Sequence, residues 1–335
     1  MSHRLLTALL CSAALLLGAL PLRAADEVVI YSARKEQLLK PLLDAYQKKT
    51  GTVARYLTDS EGPLLARLQA EGAATPADLL ITVDAGNLWH AAEQGVLAPV
   101  QSSVLTANIP ERLRDPDNRW FGLSVRARTI VYSTARVPLN TLSSYEALAE
   151  PQWKGRLCLR SSEKVYNQSL VAMMIARHGE AATEKIVRGW VDNLAVPVFS
   201  NDTKLIEAIH AGRCDVGIVN TYYFGALKKE KPDTAVALFW PNQQGSGTHT
   251  NISGAGLTRH AKHPEAALRL LEWLSTPEAQ QLFAELNMEY PANPAVPAHA
   301  TVAAWGNFKS EELHISLAGK HQADAVRLMD RAGYK

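Results

Sequence analysis

The sequence predicts an α/β protein of two lobes, each a mainly parallel sheet flanked by helices, joined by crossing strands. Three observations carry this. Strand-length apolar runs alternate with apolar patterns of helical spacing, first after Glu27 and again after Arg156, and such alternation produces parallel sheets covered by helices. The chain has 335 residues, more than a single core comfortably serves. Two long apolar stretches, Trp120 to Tyr132 and His249 to Leu257, are suited to cross between lobes.

Met1 to Ala24 has the layout of a secretory signal, with a basic start at His3 and Arg4, an apolar run from Leu5 to Leu20, and a small residue at Ala24. The mature chain is therefore expected in the periplasm, cleaved near Ala24, with Cys11 discarded. No later stretch approaches the roughly 20 apolar residues of a membrane span. Loss of two arginines with the leader turns the formal charge of +2 into zero. A neutral exported chain offers no electrostatic case for nucleic acid.

Glu27 to Tyr31 reads as a buried strand, followed by a turn at Ser32-Ala33-Arg34. Leu38, Leu39, Leu42, Leu43 and Tyr46 then recur at helical spacing until Thr50-Gly51 stops the helix. Val53 to Leu57 is a second strand, Leu64 to Glu71 a helix, Asp78 to Val83 a third strand, and Ala85 to Gly95 a short helix. Ligand sites in such folds lie at strand ends, here Tyr31 to Arg34, Leu57 to Glu61 and Val83 to Gly86.

After the Trp120 crossing, the Cys158 strand leads to Ser161 to Gln168, which opens a helix carrying Leu170, Met173, Met174 and Ile175. Thr183 to Trp190 and Lys204 to Ala211 are further helices, with Val196 to Phe199 a strand between them. Ala266 to Leu274 and Pro277 to Leu286 are amphipathic, and Ala292 to Ala300 reads as a surface strap. The lobes are expected as residues 25–125 plus about 250–300, and 126–249 plus about 301–335.

Cys158 and Cys214 both lie in strand-like apolar segments of an exported chain, where disulfides persist. One bridge between them is expected, with two buried thiols as the alternative. The bridge closes a loop of more than 50 residues, for which chain entropy gives roughly 4 kcal/mol.

Cys214 to Val219 is an apolar strand that runs into Asn220-Thr221-Tyr222-Tyr223. On a continuing strand the two rings point to opposite faces. If the chain leaves strand geometry at Asn220-Thr221, both phenols can turn to one point. Tyr166 also sits at a strand end, in a polar loop. Tyr31, Tyr56 and Tyr132 are expected in the core or cleft wall, Asp84 and Glu61 as solvated carboxylates, and His249 in a structural role.

Four stretches together resemble the ferric-ion-binding group of periplasmic substrate-binding proteins of ABC importers. They are Val29 to Arg34, Asp78 to Gly86, Asn220 to Tyr223, and Asn251 to Gly256. The resemblance implies a type II-like periplasmic-binding-protein fold, a monomer, and delivery to an ABC permease in the inner membrane. It also implies Fe(III) held by Tyr166, Tyr222 and Tyr223. Arg34 and Arg126 fall where some members hold carbonate or another small anion, and Arg128 could replace Arg126. Some members add a His or His-Tyr pair after the first strand; Lys35-Glu36 stands there instead.

The chemistry agrees with that implication. Fe(III) is a hard acid that prefers anionic oxygen, and three phenolates balance its charge. Guanidinium groups suit a planar oxyanion. Two rivals are an oxyanion, polyamine or phosphonate carrier on the same fold, and a periplasmic acyl-transfer enzyme. Ser161-Ser162-Glu163-Lys164 and Lys49-Thr50-Gly51 match fragments of the latter's motifs, in the wrong order. No enzymatic activity is expected.

Overall fold

The structure, a computed structural model, describes residues 26–335. The expected leader, with Cys11, lies outside the described residues. The chain opens with β1 (Glu27–Ser32), α1 (Glu36–Thr50), β2 (Val53–Thr58), α2 (Glu61–Glu71), β3 (Leu79–Val83), α3 (Ala85–Glu93) and α4 (Ser103–Asn108). The apolar spacing read from the sequence buries Leu39, Leu42, Leu43 and Tyr46 of α1, and Gly51 ends that helix at φ 76°. β1 pairs in parallel with both β2 and β3.

β4 (Phe121–Ser133) is the long crossing. Beyond it come β5 (Leu157–Cys158), α5 (Val165–His178), α6 (Glu180–Asp192), α7 (Asp202–His210), β6 (Val216–Asn220), α8 (Thr221–Glu230) and β7 (Val236–Phe239). β8 (Thr250–Leu257) is the return crossing, followed by α9 (Pro264–Leu274), α10 (Pro277–Asn287), β9 (Tyr290–Pro291), α11 (Ala300–Ala303), α12 (Leu317–Lys320) and α13 (Gln322–Arg331).

The sheet order is β2-β1-β3-β8-β4-β6-β5, with β7 and β9 also on β4. Parallel pairing is confined to the β-α-β runs, β1 with β2 and β3, and β5 with β6. The crossing strands run antiparallel to all their neighbours, because each returns the chain in the direction opposite to the last. The sheet is therefore mixed, and Val196 to Phe199 contributes only an isolated bridge, Arg160 to Phe199.

Three apolar cores form. Phe121, Leu123 and Val125 of β4 belong with β1, β3, α1 and α9 in the first. Ile130 enters a second core with α5, α6 and α13, and Val131 a third with α7 and α8. β4 thus hands the chain from one core to the others between Val125 and Ile130, and Arg126 and Arg128 lie in that gap. The Tyr145 hydroxyl ties the two crossings there, donating to the Arg128 carbonyl and accepting from the His249 N–H.

Cys158 and Cys214 are bonded, joining the end of β5 to the loop before β6.

Candidate metal centre

β6 stops at Asn220 and α8 begins at Thr221 without a linker. That abrupt change supplies the turn the tyrosine pair needs. Tyr222 and Tyr223 occupy the first turn of a helix, not alternate faces of a strand, and their ring centroids are 4.4 Å apart at 35°. Tyr166 is the second residue of α5. All three phenols therefore sit at helix starts, where unpaired backbone N–H groups and the helix dipole favour negative charge.

The three line one cleft of about 860 Å³, shared with Arg34, Arg126 and Glu61. Burial pushes the Tyr166 phenol up to about 12, although Arg126 pulls it down. Burial, with Tyr166 and Tyr223 close by, also raises Tyr222 well above the usual phenol range. Asn220 donates weakly to the Tyr222 hydroxyl at 3.4 Å. Burial and the neighbouring phenols both oppose ionisation of Tyr166 and Tyr222.

Arg126 and Arg128 take different parts. Arg126 lies with its guanidinium carbon 5.0 Å above the Tyr166 ring, and its Nε and Nη2 are buried without a hydrogen-bond partner. Arg128 is fully engaged, bonding Asn167 (3.0 Å), Asp202 (3.1 Å) and Asn220 (3.1 Å). It cannot replace Arg126 at the cleft; it braces the segments that carry the tyrosines. Arg34 does not pair with Glu36 or Asp84. Its Nη2 donates to Glu289 at 3.1 Å, while its Nε and Nη1 are buried and unpartnered.

The other candidates resolve as follows. Asp84 is fully buried and accepts from Gly86, Ser169 and Asn251, so it is not the solvated carboxylate expected. Glu61 stays at the cleft mouth, 3.7 Å from Lys164. Tyr31 is buried with its hydroxyl on Glu71, and Tyr56 is half-buried against the first core with its hydroxyl donating to Glu36. His249 is buried against Glu311 at 3.0 Å. The acyl-transfer fragments come apart: Ser161 accepts from its own turn at Glu163, Lys164 faces Glu61 and the Tyr166 ring, and Lys49 pairs with Glu278 on the surface.

Sequence reasoning missed Arg160. Its guanidinium lies over the rings of both Tyr166 (5.6 Å) and Tyr223 (5.8 Å). The buried Asp202 holds it at 3.4 Å while also holding Arg128 and the Asn220 N–H. The available signal was its position just past β5, at a strand end. Asn287, the last residue of α10, and Glu289, on the corner after it, also line the cleft and were missed. Among the described residues no group of three His, Cys, Asp or Glu is placed to hold a metal ion.

Comparison with known proteins agrees with this architecture. Residues 42–310 match the family described as bacterial extracellular solute-binding protein. Iron uptake protein A1 of Synechocystis sp. is 42% identical over 317 residues, covering 92% of this chain and 88% of that protein. Among solved structures, a Trichodesmium protein (IdiA, FutA) in complex with iron and citrate superposes with a TM-score of 0.89 at 43% identity, over 92% of this chain and 100% of that one. The ferric binding protein from Campylobacter jejuni gives 0.87 at 33% identity, again over 92% and 100%. Extended likeness of fold and sequence leaves one conclusion: the chain belongs to the bacterial extracellular solute-binding protein family.

Proposed function

We propose that the protein captures Fe(III) in its interlobe cleft in the periplasm and delivers it to an ABC permease. The observation that carries this reading is the convergence of Tyr166, Tyr222 and Tyr223, from two helix starts, on one cleft wall beside guanidinium groups with unused N–H donors. The relatives named for iron uptake and ferric binding support it.

Each residue then has a part. Tyr166, Tyr222 and Tyr223 give up their protons to the cargo and bind it as phenolates, as anionic ligands must. Three phenolates neutralise Fe(III). A carbonate, or another small dianion, adds two negative charges that Arg34 and Arg126 offset, and its oxygens fill the positions that Lys35-Glu36 leaves open. Lobes of residues 25–125 plus about 250–300, and 126–249 plus about 301–335, close over the cargo. The carrier works as a monomer after its leader is removed near Ala24.

The test is optical. Ferric iron supplied from a weak chelator with bicarbonate turns the purified protein red to orange through phenolate-to-iron charge transfer, and Tyr223→Phe shifts and weakens the band. A colourless parent protein refutes the ferric reading. The unused guanidinium donors favour a metal-free oxyanion as the second reading, which a colourless protein that binds phosphate or a phosphonate in calorimetry supports.

A further inference from the structure

Met288 stands at a backbone position that glycine usually takes. It caps α10 in the left-handed conformation, at φ 52°, where any Cβ is costly and helices commonly end on Gly. Its N–H bonds the Ala284 carbonyl at 3.1 Å, and Tyr290 and Pro291 just beyond it pair with Val125 and Ser124 of β4. Ala279 and Phe283 of α10, like Val125, belong to the first core. The backbone of Met288 is thereby fixed to that core.

Its side chain goes elsewhere. Met288 lines the cleft and reaches α8, whose Phe224 and Leu227 belong to the third core. A methyl group added at Gly225 of α8 would lie 2.7 Å from the Met288 sulfur and 2.7 Å from Cζ2 of Trp305. Thioether and indole therefore sit side by side on the bare backbone of that glycine. Trp305 stays with α8: its ring centroid is 6.1 Å from that of Phe224, and its carbonyl accepts from Trp240 Nε1 at 3.0 Å. The contact thus joins one half of the molecule to the helix whose first turn carries Tyr222 and Tyr223.

A strained residue persists where its surroundings over-determine it, and such positions gather at clamps and switches. The sulfur supplies the reason here, since a flexible, polarizable thioether packs well against an aromatic ring. Glu61 and Lys164 also meet across the cleft, at 3.7 Å, but a part-exposed ion pair contributes little.

We propose that Met288 is a latch: its thioether, seated on Gly225 beside Trp305, holds the first-core half closed on the tyrosine-bearing helix and leaves that seat when the cleft opens. This rests on the proposed closure of the two lobes, and only its release measurement rests on the ferric reading.

Met288→Gly removes the thioether while giving the left-handed backbone the residue that suits it, so loss of the latch is separated from loss of the fold. The variant keeps a thermal midpoint close to the parent's, and in small-angle scattering the metal-free variant has a larger radius of gyration than the metal-free parent. Loaded from ferric nitrilotriacetate and challenged with excess EDTA, it loses the charge-transfer band about tenfold faster, the scale set by partial burial of one Met side chain. Gly225→Ala acts in the same direction and adds less in the Met288→Gly background than alone, because both act on one contact. The proposal is overturned if the radius of Met288→Gly equals the parent's, if the loaded variant releases iron no faster, or if the two substitutions are fully additive. A lower midpoint with an unchanged radius marks ordinary packing and overturns it too. A parent without any band overturns the ferric reading alone, and the scattering then decides the latch.

Discussion

Arg126 is stacked on Tyr166, its guanidinium carbon 5.0 Å from the ring centroid, at the point where β4 leaves the first core. Arg126 is the main influence lowering the proton affinity of that phenol, against a larger effect of burial. Arg126→Ala therefore leaves Tyr166 harder to ionise, and ferric affinity is expected to fall about 10- to 100-fold, the range typical of groups that support a metal ligand. Competition with a chelator at fixed pH measures it. Unchanged affinity counts against the role given to Arg126.

Acid is expected to loosen iron bound as proposed. Burial pushes Tyr166 up to about 12 and Tyr222 well above the usual phenol range, so loading through these phenols, as proposed, is expected to release their protons. Apparent affinity is expected to fall about tenfold per pH unit for each proton released, measured between pH 7 and pH 5. The same raised values act on folding in the other direction. Stability from the protonated phenols is intact below about pH 10, the ordinary phenol value, and is lost as pH rises beyond it.

Asp202 holds Arg128, Arg160 and the Asn220 N–H together inside the fold. Asp202→Ala strands two buried guanidinium groups, and breaking such a cluster costs roughly 3–5 kcal/mol. Denaturant unfolding of the parent and variant reads the loss. A variant of parental stability shows that the cluster is not a support for the tyrosine segments.

The bond between Cys158 and Cys214 closes a separation of 56 residues. Replacing both by alanine is expected to lower stability by roughly 4 kcal/mol on the chain-entropy argument, with a lower thermal midpoint. Reduction of the parent protein gives the same direction of change.

Much of this molecule was legible from local pattern. The helical spacing of Leu39, Leu42 and Leu43, the two crossings and the Cys158–Cys214 bond all follow from short-range apolar order and export chemistry. The turn that brings Tyr222 and Tyr223 to one cleft was legible as an alternative to a continuing strand, because Asn220-Thr221 is a fitting place for a strand to become a helix. The partners of charged groups were not. Arg34 meets Glu289, 255 positions away, while Glu36 and Asp84, near in sequence, have other partners. Arg160 gives no local sign of spanning two rings, since Tyr223 reaches it only through the pairing of β5 with β6. Parallel pairing was overextended for a related reason: a run of apolar residues does not state the direction of its neighbour, and β4 and β8 reverse it.

The phenols of residues 166, 222 and 223 are carried by α5 and α8, both packed on the later cores. On the proposed function, a swing of the opposite half would leave all three hydroxyls in company, so an open mouth would not be the same thing as an empty one. Unloading would then act on the donor oxygens or on the ion itself, by returning protons to the former or an electron to the latter.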